Sequence, residues 1–162
     1  MIRDAHISDL DAIMPLFDRA RAYMRASGNP SQWDESYPSR EVITADIEAG
    51  HCRVLVDGDG EIVGVFAFIL GVDPTYLQID GGAWLNDEPY GVVHRLASSG
   101  KRGGVARECL RWCYERCRNL RVDTHADNRT LQHILETEGF VRCGIIYVRN
   151  HSPRIAYHKV IL

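Results

Sequence analysis

The chain has 162 residues, 45% of them hydrophobic and 25% charged, with a formal net charge of −3. That length supports one domain with an ordinary core, and the mild acidity excludes the global basic field of a nucleic-acid binder. No apolar run approaches the ~20 residues of a membrane span; the start Met1-Ile-Arg-Asp-Ala-His lacks a signal-peptide pattern, and an odd set of five cysteines points to reduced thiols and a cytoplasmic setting.

Ile2 to Asp4 reads as a short first strand. Ser8 is placed to cap a helix carrying Leu10, Ile13, Met14, Phe17 and Ala20 at helical spacing, running to about Arg25. Ser27-Gly-Asn-Pro-Ser breaks it, and Ser39 starts a second helix with Val42, Ile43 and Ile47 inward and Gly50 at its end. Cys52–Val56 and Ile62–Leu70 are strands joined by the hairpin turn Asp57-Gly-Asp-Gly60. An irregular stretch from Asp73 to Glu88 follows, then a strand from Tyr90 to Ala97. Helical periodicity returns from Val105 to Arg118, Leu120 to His125 is a strand, and Asp127 or Asn128 caps a helix that Gly139 stops. Phe140–Val148 and Ile155–Val160 close the chain as a strand pair. The order implies a mixed sheet covered by helices on both faces.

The segment Lys101-Arg102-Gly103-Gly104-Val105-Ala106 separates a strand from a helix. Adjacent glycines at a helix start leave main-chain N–H groups uncovered. With the positive end of the helix dipole and two cations, they make an anion site suited to a pyrophosphate. The plainer reading of Gly103 and Gly104 is close packing of helix on strand. Cys109, Cys113 and Cys117 share a helical face, but one row of thiols without a histidine closes no tetrahedral site, so no metal is expected.

The element order and this glycine turn resemble the GNAT superfamily of acyl-CoA-dependent N-acetyltransferases. The family signature is Arg or Gln, two residues, Gly, one residue, then Gly or Ala; Lys101 to Ala106 fits it with Lys in the first place. The family's Asn followed by an apolar helix and Gly-Phe is matched by Asn128 through Gly139-Phe140. The resemblance covers nearly the whole chain. It implies a mostly antiparallel mixed α/β (α+β) sheet of six to seven strands whose central parallel pair splays apart. It also implies acetyl-CoA as cosubstrate: the pyrophosphate on residues 102–106, the pantetheine arm on the backbone of Leu96 and Ala97, and a hydrogen bond from Asn128, which doubles as a candidate N-cap. Two departures stand out. The Ser98-Ser-Gly100 connection is short, and Leu135 stands where many members carry the tyrosine that protonates the leaving thiolate.

Acid–base candidates are His94 and His125, on strands meeting at the proposed gap, and each also fits a structural role. Asp80 and Asp123 are alternative bases, Asp80 fitting a turn equally well; Tyr90 and Tyr147 are alternative acids. Trp33, Tyr37 and Trp84, with Tyr76, fall in irregular segments and could wall an acceptor pocket or anchor loops. The expected activity is direct acetyl transfer from acetyl-CoA to a primary amine in a ternary complex. The expected partner is a small-molecule amine or an exposed amino group of a peptide, with no nucleic acid and no membrane, and with homodimerisation open. A non-catalytic acyl-CoA-binding or sensing module is the alternative that Leu135 raises. An ATP-binding domain is disfavoured by the lack of Gly-Lys-Ser/Thr after the turn.

Overall fold

The computed structural model describes residues 1–160. Seven strands form an open sheet in the order β1-β2-β3-β4-β5-β7-β6. These are β1 (Ile2–Asp4), β2 (Cys52–Val56), β3 (Ile62–Leu70), β4 (Gly91–Ser98), β5 (Asn119–Thr124), β6 (Val141–Tyr147) and β7 (Pro153–Val160). Every neighbouring pair is antiparallel except β4 and β5. That parallel pair requires a crossover, supplied by helix α3 (Val105–Arg116).

Helices α1 (Leu10–Ala26) and α2 (Arg40–Glu48) cover one face, while α3 and α4 (Arg129–Thr137) cover the other. Alternation along β3, interrupted by an irregularity between Ile62 and Gly64, feeds both layers. Val63, Phe66 and Phe68 join the α3/α4 core, and Val65 joins the α1/α2 core with Ile13, Phe17 and Ile43. Each such buried side chain contributes ~1.5–3 kcal/mol. A third apolar cluster, containing Tyr76, Tyr90, Val92 and Ile146, lies under the segment between β3 and β4.

Several boundaries differ from the sequence reading, each for a local reason. A short 3₁₀ turn over Ile7–Asp9 precedes α1, so Ser8 does not cap it. Asp9 instead accepts from the His6 amide at 2.7 Å and pairs with Arg3 at 2.9 Å. Helix α3 stops at Arg116 because Cys117 turns extended, with φ −140°. Strand β4 starts at Gly91 rather than Tyr90, and β7 starts at Pro153. Strand β5 ends at Thr124, leaving His125 in a turn where its Nδ1 accepts from the Asp127 amide at 3.0 Å.

Candidate active site

Strands β4 and β5 stay paired for two positions only, Gly91 with Leu120 and Val92 with Arg121. Beyond them β4 and β5 are no longer paired, and the β5-facing backbone of β4 from Val93 onward has no strand partner on that side. A bulge in β4 accompanies the divergence. Val65 faces Ala97 and Ala67 faces His94, so β4 carries one residue more than β3 between the same rungs. The extra residue bends the strand, and Arg95 sits there at φ +51°. A non-glycine residue in that region is strained by ~1–3 kcal/mol and must be held by its surroundings. The hold is Asp46 of α2, which takes Arg95 Nε and Nη2 at 2.7 and 2.9 Å, with Tyr37 Oη accepting from Nη1 at 3.1 Å. Leu96 and Ala97 follow directly, so this clamp sets where their amides point.

At the far end of β4 the chain enters the glycine turn. The Gly100 and Lys101 amides are taken by Ser98 Oγ and Ser99 Oγ at 3.1 and 3.2 Å. From Arg102 onward the amides lead into α3, whose N-cap Gly104 sits at φ +77° with no side chain capping the helix. A Cβ at Gly103 or Gly104 would meet nothing within 4 Å, so space is open over the helix end. This disposes of the packing explanation for the two glycines. The cations behave differently from expectation. Lys101 pairs with Glu61, and Arg102 pairs with Asp57 at 3.0 Å and Glu108 at 2.8 Å. Attraction for an anion therefore falls mainly on the main-chain amides and the helix dipole. A hollow of about 570 Å³ opens beside the same turn, lined by Arg3, Asp9, Arg19, Glu61 and Lys101 among others, and it contains none of the strand residues that part at the groove.

Where the strands part, polar groups converge on the α1/α2 side. His94 Nε2 lies 2.8 Å from Asp73 Oδ2, and its Nδ1 lies 3.9 Å from Asp123 Oδ2. Tyr76 donates its hydroxyl to the same Asp123 oxygen at 2.6 Å. Burial opposes ionisation of Asp73, but the hydrogen bonds from His94 and Thr75 outweigh it and hold the carboxyl down at about 2. Tyr76 is pushed well above its ordinary value, first by burial and then by the Asp123 charge. Asp73 thus remains an anion that holds His94 at Nε2 and orients the ring, with Nδ1 turned toward Asp123.

His125 lies beyond the tip of β5, its pKa lowered by burial and by the nearby Arg154 charge. Above that tip sits Gln32, from the connection between α1 and α2. Its Oε1 accepts from Asn128 Nδ2 at 2.9 Å, Asn29 Nδ2 at 3.1 Å, Thr124 Oγ1 at 3.3 Å and the His125 amide at 3.4 Å. Asn128 is an N-cap as well, accepting from the Leu131 amide at 3.1 Å. Tyr147 is not brought to the groove. It is exposed at the end of edge strand β6, with β7 between it and β5, and its hydroxyl bonds Asp80, which raises its pKa. Asp80 itself bridges to Ile145. Tyr90 accepts the Asp73 amide at 2.9 Å and stacks on Arg121, a bracing role. Of the expected acceptor walls, Trp33 packs between Phe17 and Tyr37, and Trp84 donates to the Tyr76 carbonyl at 2.9 Å. Asp73, Gln32 and Arg154 were not singled out by sequence. Only the Asp73-Pro74-Thr75 turn gives a local signal, and it reads as loop punctuation.

A solved GNAT-family acetyltransferase from Streptococcus agalactiae 2603 is 34% identical, superimposes with a TM-score of 0.91, and is matched over 100% of this chain and 95% of its own. The chain belongs to the GNAT family of acetyltransferases. A GNAT-family acetyltransferase from Listeria monocytogenes 4b F2365 (19% identical, TM-score 0.73, 99% and 94% of the two chains) shares the fold. So does the NatC complex solved with Gag peptide and CoA (18%, TM-score 0.66, 100% and 98%). No protein-family model and no curated protein sequence matches the chain.

As a GNAT enzyme the protein is an acyl-CoA-dependent acetyltransferase, and acetyl-CoA is its cosubstrate. Its open helix end and parted strands suit a diphosphate continued by an extended amide arm. Its departure from many GNAT members is Leu135, which is 0% exposed in the α3/α4 core and brings no hydroxyl to the groove. Among the described residues, no helix is long and apolar enough to cross a membrane.

Proposed function

We propose that this GNAT acetyltransferase delivers the acetyl group directly to a primary amine held between His94 and Asp123. Bound acetyl-CoA supplies an activated thioester. The amides of Arg102 to Ala106 take its diphosphate, the free edge of Leu96 and Ala97 pairs with the pantetheine arm, and Asn128 Nδ2 turns from Gln32 to that arm. An amide beside the β4 bulge donates to the thioester oxygen as charge develops on it.

The acceptor arrives as an ammonium ion, drawn by the Asp123 carboxylate. His94 Nδ1 takes one proton, and the Asp73 anion stabilises the imidazolium that forms. The neutral nitrogen then forms the N–C bond as the C–S bond breaks; the sulfur leaves with the electron pair and takes the nitrogen's surplus proton, giving a neutral amide and the free thiol. Cysteine plays no covalent part: Cys109 and Cys113 are buried, and burial pushes the Cys109 thiol up to about 12.

The observation carrying this reading is the Asp73–His94 hydrogen bond at the level where β4 and β5 part. Thiol release from acetyl-CoA across an amine panel tests it. His94→Gln is expected to lower kcat by about 10²–10⁴-fold with CoA affinity unchanged. Undiminished turnover in that variant, or a trapped acetyl-enzyme that passes its acetyl group on, would overturn it. The non-catalytic alternative predicts CoA binding with no thiol release from any amine.

A further inference from the structure

Arg154 is 6% exposed, yet it pairs with no carboxylate among the described residues. Its guanidinium donates through Nη1 to Ser152 Oγ at 2.5 Å and Pro153 O at 2.9 Å, and through Nη2 to Gln32 O at 3.0 Å. All three acceptors are neutral. The Asp123 carboxylate supports it only from beyond ion-pair distance, and an enclosed cation with no direct counter-charge is costly unless something else compensates. Arg121 illustrates such compensation. It is 5% exposed and also lacks a carboxylate, but it lies between the rings of Trp84 and Tyr90 at 4.4 and 3.9 Å. Arg154 has no such aromatic cover among the described residues.

Its position says what could compensate it. Asp123 faces Ala156 across β5 and β7, and Thr124 faces Ile155. Arg154 therefore projects on the same face as Asp123, two residues along β7 from Asp123's partner, beside His125. Such diagonal neighbours lie about 7–8 Å apart. The diphosphate site is on the other side of β5, at the end of β4, so the anions of CoA are directed away from Arg154. The N–H groups left on the guanidinium are those of Nε and one on Nη2. Donors of this kind suit the oxygens of a carboxylate.

We propose that the acceptor of this enzyme is a small amino acid, its amine at His94 and Asp123 and its carboxylate on Arg154. The proposal rests on the transferase reading above and narrows its substrate class. Two charged subsites on one face of the sheet, at diagonal positions about 7–8 Å apart, suit a compact zwitterion, with Asp123 drawing the ammonium end and Arg154 the carboxylate end. They disfavour a plain alkylamine, which would leave Arg154 uncompensated.

The test uses matched acceptors: α-, β- and γ-amino acids, each beside the analogue whose carboxylate is a carboxamide. With the native enzyme and saturating acetyl-CoA, kcat/KM is expected to favour the best carboxylate by about 100-fold or more, because its analogue leaves the buried cation unpaired. Arg154→Gln should reduce that preference to below about tenfold, chiefly through KM, with CoA affinity by calorimetry unchanged. Arg154→Lys should restore part of it, which separates lost charge from a loosened Gln32 loop. Equal turnover of carboxylates and carboxamides by the native enzyme, or a preference that survives Arg154→Gln, overturns the proposal. If acetyl-CoA binds but no amine is turned over, the transferase reading fails instead. Titration of the same pairs into the CoA complex then decides the Arg154 question: carboxylate-dependent binding lost in Arg154→Gln supports it, and its absence overturns it.

Discussion

Replacing Gly103 by leucine tests the anion site with little threat to the fold. Gly103 needs no left-handed backbone, and a Cβ there meets nothing within 4 Å, so stability should change by no more than about 0.5 kcal/mol. The new side chain would lie over the open amides ahead of α3. Two charge-assisted hydrogen bonds to a diphosphate contribute ~1.5–3 kcal/mol each, and the helix dipole adds ~0.3–1 kcal/mol. Losing them amounts to about 3–7 kcal/mol, at least a 100-fold rise in Kd. Calorimetry with CoA reads that loss, and S-acetylpantetheine is the control. It lacks the diphosphate, so its weaker affinity should be the same in both proteins. Arg102→Gln should cost less than Gly103→Leu, because Arg102 is already tied to Asp57 and Glu108. If Gly103→Leu folds normally and binds CoA within a few-fold of native, the diphosphate rests elsewhere and the assignment is wrong.

Three other outcomes follow from the geometry. His158 is fully buried, and burial followed by the Arg121 charge brings it down to about 4 from an ordinary 6.5. The unfolded chain binds this proton more readily, so the contribution is full above pH 6.5 and lost as pH falls toward 4, about 3 kcal/mol in all; urea titrations across that window should show the decline, and His158→Gln should flatten it. Asp46→Asn breaks the hold on the β4 bulge; both partners are largely buried, with side chains 11% and 15% exposed, so a loss of about 3–5 kcal/mol in chemical denaturation is expected. Tyr76→Phe leaves an Asp123 oxygen without its donor, for about 1–3 kcal/mol in the same assay, and should raise the acceptor KM as Asp123 reorients.

The parts of this fold that local chemistry dictates were readable in advance. Apolar spacing marks α1, α2 and α4, the Asp57–Gly60 turn marks the β2–β3 hairpin, and the paired glycines mark the start of α3. The groups that complete the site come from further away. Asp73 meets His94 across 21 positions, and Gln32 reaches Asn128 across 96. No spacing rule encodes those contacts; they appear only once the sheet brings β4, β5 and the α1–α2 connection together. The bulge was equally silent, because its left-handed residue is Arg95 rather than glycine, stabilised by a partner 49 positions away. The aromatic residues misled for a related reason. Trp33 and Trp84 occupy irregular segments, but such segments need anchors, and these rings provide them. Tyr147 shares the cleft end of the sheet with β5 but lies one strand too far from it.

Leu135 bears on how the sulfur leaves. A thiol with a pKa of about 8.5 is a better leaving group than an amine of about 10.4, so an attacking nitrogen that has already lost a proton expels thiolate without help from an acid. On the proposed route the demanding step is then proton removal by His94, and a leucine where many members carry tyrosine is no handicap. Leu135→Tyr makes the distinction measurable. The added bulk should destabilise the core by about 1–3 kcal/mol, read by denaturation. The new hydroxyl should leave kcat unchanged at neutral pH, because departure does not limit the rate. A tenfold gain in kcat would mean that protonation of the thiolate is limiting, and the order of events assigned to His94 would have to be reversed.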